Sequence, residues 1–235
     1  KSLGCTAIAT SLPKKFIAVA ERGETNGLVV FYDSHSYRKK RVLNFPELGS
    51  KEYKCIAFSD DGRQCLTQGA GPDWNLVLWS VEKNVKAIAH VKVSLSDDNA
   101  VNQISFCPWD PTLAVVIGKG FVRMFRIVDG VMKSSPLPVR RENANFISHI
   151  WLPDDILLLG TEGGEILLIE NNEYRGVIYP PQSPVSGTSV TSGIPGGSVA
   201  SGAGGAANTG AAGAEEMTPV YLSLIHISEP TRRTI

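Results

Sequence analysis

No apolar run in this 235-residue chain approaches the ~20 residues that cross a bilayer as a helix. Nor does any segment sustain a 3.6-residue apolar spacing, which excludes a helical bundle or coiled coil over this length. Neither sign of charge is in excess: 23 basic and 23 acidic side chains cancel, so the composition gives no pull toward a nucleic-acid backbone or an anionic membrane. Cysteine and histidine are scarce at four each, no CxxC pair occurs, and zinc-ligand spacing is absent. Cys5, Cys55, Cys65 and Cys107 fall in or beside strand-like segments and read as small hydrophobes of a reducing, cytosolic environment. Phosphate-binding and nucleophile-elbow motifs are missing as well. The sequence therefore nominates no catalytic, cofactor-binding or metal-ligating residue, and the expectation is a non-enzyme.

What the chain does have is a repeat of about forty-six residues. Ile8, Ile56 and Ile104 open equivalent apolar segments, and Leu28, Leu76, Val122 and Ile166 hold equivalent places 48, 46 and 44 residues apart. Each unit offers four short apolar runs separated by turns, the pattern of a WD-type β-propeller blade. Unit one is expected to place strands at Cys5–Thr10, Phe16–Glu21, Gly27–Asp33 and Lys39–Phe45, with Asn26-Gly27 as a tight left-handed turn. Unit two follows from Tyr53 to Val93. Unit three begins at Val101 and turns through Pro108-Trp109-Asp110-Pro111, and unit four runs from Phe146 to Tyr179. The inner run Leu113–Ile117 has no polar member, as befits a strand packed on both faces. Residues 1–179 thus read as about four blades of an incomplete ring, with stability coming from stacking of one sheet on the next. The chain opens at Lys1 directly in a strand-like pattern, which reads as a piece of a longer protein.

Beyond Tyr179 the composition changes. Ser186–Ala214 spans 29 residues, of which 21 are Gly, Ala or Ser, too little apolar surface to offset ordering, so 180–221 is expected to be a disordered loop or linker. The last fourteen residues, 222–235, resemble the translation of a sequencing-library adaptor and are set aside from fold reasoning.

Several residues invite a chemical role, and each also has a plainer structural one. Tyr37-Arg38-Lys39-Lys40-Arg41 is the only dense basic run. On an edge-like fourth strand, cations guard against edge pairing more simply than they bind nucleic acid. Asp60-Asp61, Asp97-Asp98 and Asp154-Asp155 resemble paired carboxylates, yet two of the pairs occupy the same turn of the repeat and read as turn formers. His149 lies in a first strand beside Trp151 with no Ser, Cys or carboxylate at motif distance, so a structural, hydrogen-bonded histidine is expected. Trp79 and Trp151 fall in strands and are assigned to the core. Trp74 and Trp109 fall in loops and are the candidates for partner contact.

The stretch Pro72-Asp73-Trp74-Asn75-Leu76-Val77-Leu78-Trp79, followed by Glu82-Lys83, resembles the N-terminal WD-repeat region of the cilia- and flagella-associated protein 57 family. The likeness continues through Val101–Phe106, Pro108, Asp110, Val116–Gly120 and Phe125-Arg126. It then takes in Asn145–Trp151, Asp154-Asp155, Gly160-Thr161, Gly164 and Glu170, and in all covers roughly Leu3 to Val177. This resemblance implies a non-enzymatic scaffold of the motile-cilium axoneme, in the cytoskeleton of the cytoplasm, helping to assemble or regulate inner dynein arms near the nexin–dynein regulatory complex. It implies protein partners, a coiled-coil half elsewhere in the parent, and no cofactor, nucleic acid, membrane or small-molecule substrate. Two rivals stand beside it: a WD-repeat scaffold of another cytoplasmic assembly, and a propeller hydrolase. The turn box of sialidases does not recur here, which counts against the second.

Overall fold

The computed structural model describes residues 2–179, apart from 12, 83–84, 95–98, 138, 140 and 142–143. The segments 180–221 and 222–235, and the Asp97-Asp98 pair, lie outside the described residues.

Among the described residues, sixteen strands follow one another in the expected order. The first sheet holds β1 (Ser2–Ser11), β2 (Phe16–Gly23), β3 (Leu28–Asp33) and β4 (Lys39–Leu43). The second holds β5 (Tyr53–Phe58), β6 (Gln64–Gly69), β7 (Asn75–Ser80) and β8 (Lys86–Lys92). The third holds β9 (Val101–Cys107), β10 (Asp110–Gly118), β11 (Phe121–Val128) and β12 (Val131–Pro136). The fourth holds β13 (Phe146–Leu152), β14 (Ile156–Thr161), β15 (Ile166–Glu170) and β16 (Glu173–Tyr179). Each sheet is an antiparallel meander in chain order. The first strands β1, β5, β9 and β13 lie beside one another, which makes them the inner edge of a fan of four blades. The sheets do not close into a ring, and no α-helix occurs among the described residues.

Alternation explains why the interior strands read as nearly unbroken apolar runs. In the second sheet the register row Ala57–Leu66–Leu78–Ala89 faces the third sheet, and Cys65, Val77 and Trp79 face the first. Both faces are covered, so both residue parities must be apolar. Three cores result, one in each seam. Phe31 and Trp79 help fill the first, Leu78 and Phe125 the second, and Leu159 and Trp151 the third. The outward face of the first sheet has no such cover at Ile8, which heads a row with Val19, Val30 and Val42 and is 67% exposed.

Turn chemistry matches the residues in most places. Asp129-Gly130 and Asn171-Asn172 make two-residue hairpins with both φ values positive, the geometry that suits the right-handed twist of paired strands. The Asn26-Gly27 expectation is corrected: neither residue has positive φ, and the connection is a four-residue loop, 24–27. Gly27 is needed there because a Cβ would stand 3.0 Å from the Lys51 carbonyl oxygen and 3.1 Å from Glu52 Cα. The Pro108–Pro111 turn is also shorter than expected. Only Pro108 and Trp109 turn, and β10 starts at Asp110, with a register shift before Ala114 that accommodates Pro111 and its missing N–H. A short 3₁₀ turn at Pro46–Leu48 had no sequence expectation.

Within the second blade, the buried Trp79 Nε1 donates to the buried Thr67 hydroxyl at 2.8 Å. Trp79→Phe is expected to cost about 1–3 kcal/mol, because the Thr67 hydroxyl then loses its donor in a dry site. Adding Thr67→Val should recover most of that loss, since both polar partners are then gone. Urea denaturation of the single and double variants checks this; equal stability of the two would show that the hydroxyl finds another partner.

Candidate functional site

The polar groups inside the seams come from corresponding positions of successive repeats. Thr6 donates to the Tyr53 carbonyl at 2.7 Å, and the Cys55 thiol lies 3.3 Å from the Asn102 carbonyl, each 47 residues along. Gln103 Oε1 accepts from the His149 backbone N–H at 2.7 Å, and Asn102 Nδ2 donates to the Phe146 carbonyl at 2.8 Å. One repeat length is thus the distance over which each inner strand reaches its neighbour. The repeat period, visible in the sequence, is therefore the signal that pairs these residues across a seam.

His149 sits in this series. The residue is 2% exposed, and its Nε2 shares a 2.6 Å hydrogen bond with the Ser105 hydroxyl, which also accepts from Trp151 Nε1 at 2.8 Å. A serine therefore does reach His149, from the preceding repeat, where local spacing could not reveal it. The pair is not an activated nucleophile. No carboxylate orients the ring, His149 Nδ1 has no hydrogen-bond partner among the described residues, and Ser105 Oγ is occupied by the indole. Burial pushes His149 down to about 3, so the ring is neutral near pH 7 and cannot carry charge into the seam. The arrangement fastens the third sheet to the fourth, in keeping with the structural role expected for His149.

The other candidates resolve as follows. Asp61 accepts from the Ser59 hydroxyl at 2.7 Å and the Arg63 amide at 2.9 Å, and Asp154 and Asp155 adopt positive φ in their hairpin; both pairs are turn formers. No group of three His, Cys, Asp or Glu side chains that could hold a metal occurs among the described residues. Trp79 and Trp151 are in the core. Trp74 is corrected: although in a loop, it is 5% exposed, because a left-handed backbone at φ 46° turns the indole into the core between the second and third sheets. Trp109 is 47% exposed and stays available to a partner. Among the cysteines, Cys65 and Cys107 are buried, Cys55 is half-buried and Cys5 is exposed, so the small-hydrophobe role does not extend to Cys5. All four are free thiols.

The basic run lies where expected, on the outer strand β4 and the turn before it, with Tyr37 exposed. Arg41 behaves differently from its neighbours. It points toward the second sheet, lies over the Phe16 ring at 5.4 Å and donates to the carbonyls of Val81 and Glu82. Asp33 closes the adjacent turn by accepting from the amides of His35 and Ser36. The Ser36 amide, followed by its hydroxyl, holds the Asp33 carboxyl down at about 2.

Turns joining first to second and third to fourth strands gather at one end of the fan, where two seams open as clefts of opposite charge. The first cleft, about 730 Å³ between the first and second sheets, is lined by Lys14, Phe16, Arg41, Val81, Glu82 and Lys86. The second, about 190 Å³ between the third and fourth, includes Asp110, Arg126 and Asp155. Arg126 is bound to Asp110 and the Thr112 hydroxyl, which leaves that cleft acidic in balance.

No family model matches the chain. Among curated proteins, cilia- and flagella-associated protein 57 of Mus musculus is 32% identical over 177 residues, 74% of this chain and 14% of the relative. Cilia- and flagella-associated protein 57 A of Tetrahymena thermophila is 26% identical over 59% of the chain and 12% of its own length. Cilia- and flagella-associated protein 44 of Trypanosoma brucei brucei is 25% identical over 73% of the chain and 10% of its own length. The chain therefore spans only about one seventh, or less, of the curated relatives it matches. Among solved structures, the β-propeller domain of Cps50 (Swd1) from Myceliophthora thermophila superposes with a TM-score of 0.61 at 19% identity. That match covers 74% of this chain and 55% of the other, and its bearing is on the fold alone. Over the segment that it spans, the chain belongs to the cilia- and flagella-associated protein 57 family and carries four WD-type propeller blades of it.

Proposed function

We propose that this chain is the blade region of a non-enzymatic, cilia-associated WD-repeat scaffold, which binds other proteins of the motile-cilium axoneme and helps to assemble or regulate inner dynein arms. The observation that carries the reading is the 32% identity to a protein named for cilia and flagella, sustained over 74% of the chain. The geometry is compatible with it. The seam polar side chains described above fasten one sheet to the next, while the turns at both ends and the outer strands are left for partners. Partners are proteins rather than nucleic acid, membrane or a small substrate, and the site of action is the axoneme.

Proximity labelling in ciliated cells with the complete protein tests the reading. Inner-arm dynein subunits and neighbouring regulatory-complex components are expected among the labelled proteins. A labelled set drawn from cytoplasmic assemblies, with no axonemal enrichment, would sink it.

A further inference from the structure

An edge strand needs few charges to discourage pairing, and the other outer strands of this fan have few. β8 (KAIAHVK) carries two cations in seven residues and β12 (VMKSSP) one in six, whereas β4 (KKRVL) carries three in five. Guarding the edge does not account for that excess. The fold then adds cations from elsewhere: Lys14 in the β1–β2 turn and Lys86 at the start of β8 line the same cleft as Arg41. The β1–β2 turn is also tied to the β3–β4 turn, since the Ser34 amide donates to the Lys15 carbonyl at 2.8 Å, bringing Lys15 and Arg38 to the same rim.

Few acids answer these charges. Asp33 is engaged by its own turn and reaches Lys40 only at 3.8 Å, Glu82 lies 3.9 Å from Arg63, and Asp61, which feels the charge of Lys14, is held by Ser59 and Arg63. Lys15, Arg38 and Lys86 have no ion-pair partner among the described residues, and all three are exposed. In a chain of zero net charge, this leaves one seam basic while the corresponding seam between the third and fourth sheets is acidic. Apolar contact is available on the cleft wall, where the partly exposed Phe16 ring lies beneath Arg41.

We propose that the cleft between the first and second sheets, with the basic rim of Lys14, Lys15, Arg38 and Lys86, docks an acidic, extended peptide segment of a partner protein. A cleft of about 730 Å³ is the size of a peptide-side-chain site rather than of a duplex groove. Its cations come from separate loops around an aromatic wall, where charge complementarity sets the approach and register of the bound segment. This deepens the scaffold reading by naming the chemistry of one partner.

The test is fluorescence anisotropy with the full chain and a fluorescein-labelled, Glu-rich twelve-residue peptide, with a Gln-for-Glu peptide as control. Saturable binding is expected for the Glu peptide alone, weakening by about tenfold between 50 and 300 mM salt. The double reversal Lys14→Glu/Lys86→Glu should weaken it about tenfold or more, and the milder Lys14→Gln/Lys86→Gln pair by a smaller factor in the same direction. Reversal of Lys133 and Arg175, on the third and fourth sheets, should leave affinity within about twofold. Circular dichroism confirms that each variant keeps its strands.

Four outcomes overturn the site: no binding by the folded wild-type chain, equal binding of the Gln peptide, equal loss from the distant reversal, or an oligonucleotide of the same charge binding tighter than the peptide. Sedimentation showing self-association abolished by the Lys14/Lys86 reversal would assign the cleft to a second copy, and also overturns it. Failure of peptide binding with axonemal labelling intact removes this site alone. Intact peptide binding without axonemal labelling removes the scaffold reading instead.

Discussion

Lowering the pH from 6.5 to 5 is expected to cost the fold about 2 kcal/mol through His149 alone. In the folded chain burial pushes this imidazole down to about 3 from its ordinary 6.5. Between those values the unfolded chain binds a proton that the folded chain excludes, so stability is whole above pH 6.5 and falls as acid is added. The window from 6.5 to 5 is informative because carboxylates titrate lower. Asp33, Asp61 and Asp110 all have lowered values, so their contributions are full above the usual carboxylate range and are lost only beneath it. Urea midpoints at pH 7, 6 and 5 measure the slope. His149→Gln, which can still bond to Ser105 but does not titrate, should flatten it. A variant with an unchanged slope would show that another group carries the acid sensitivity.

Trp151→Ala is expected to destabilise the chain by about 3–5 kcal/mol, at the upper end for a large buried side chain. Trp151 is 3% exposed in the seam that joins the third and fourth sheets, packed in one core with Phe146, Leu157 and Leu159. Truncation opens a cavity there, and it also strips the Ser105 hydroxyl of its indole donor. Trp109→Ala is the matched control: the second residue of the turn between β9 and β10, it is 47% exposed and should change stability by less than about 0.5 kcal/mol. Chemical denaturation of both variants decides the matter. Comparable losses would mean that Trp109 is packed and cannot serve as a partner contact.

The strands were legible because their information is local. Residues 53–58, 75–80 and 146–152 occupy the strands expected of them, since apolar alternation bounded by Asp, Asn, Pro and Gly specifies an extended segment without reference to the rest of the chain. Trp74 shows where local reading fails. Its neighbours Pro72 and Asp73 mark a loop, yet burial depends on which way that loop folds, and a left-handed residue turns the indole inward. Asn26-Gly27 fails for a related reason: the pair suits a tight turn, but the backbone of residues 51–52 passes so close that glycine serves for clearance instead.

An all-β chain of four repeats, each with four strand segments, can be read from the residues alone, and most of its turns form where their Asp, Asn and Gly stand. A two-residue strand period and a forty-six-residue blade period can both be read along the chain. Which side chains meet across a seam is visible only in three dimensions: Ser105 with His149, Arg41 with the Val81 and Glu82 carbonyls, and Lys14 with Lys86 around one cleft. These partners lie 40 or more residues apart, on separate sheets, and their meeting is set by how one twisted sheet packs on the next, which no local pattern encodes.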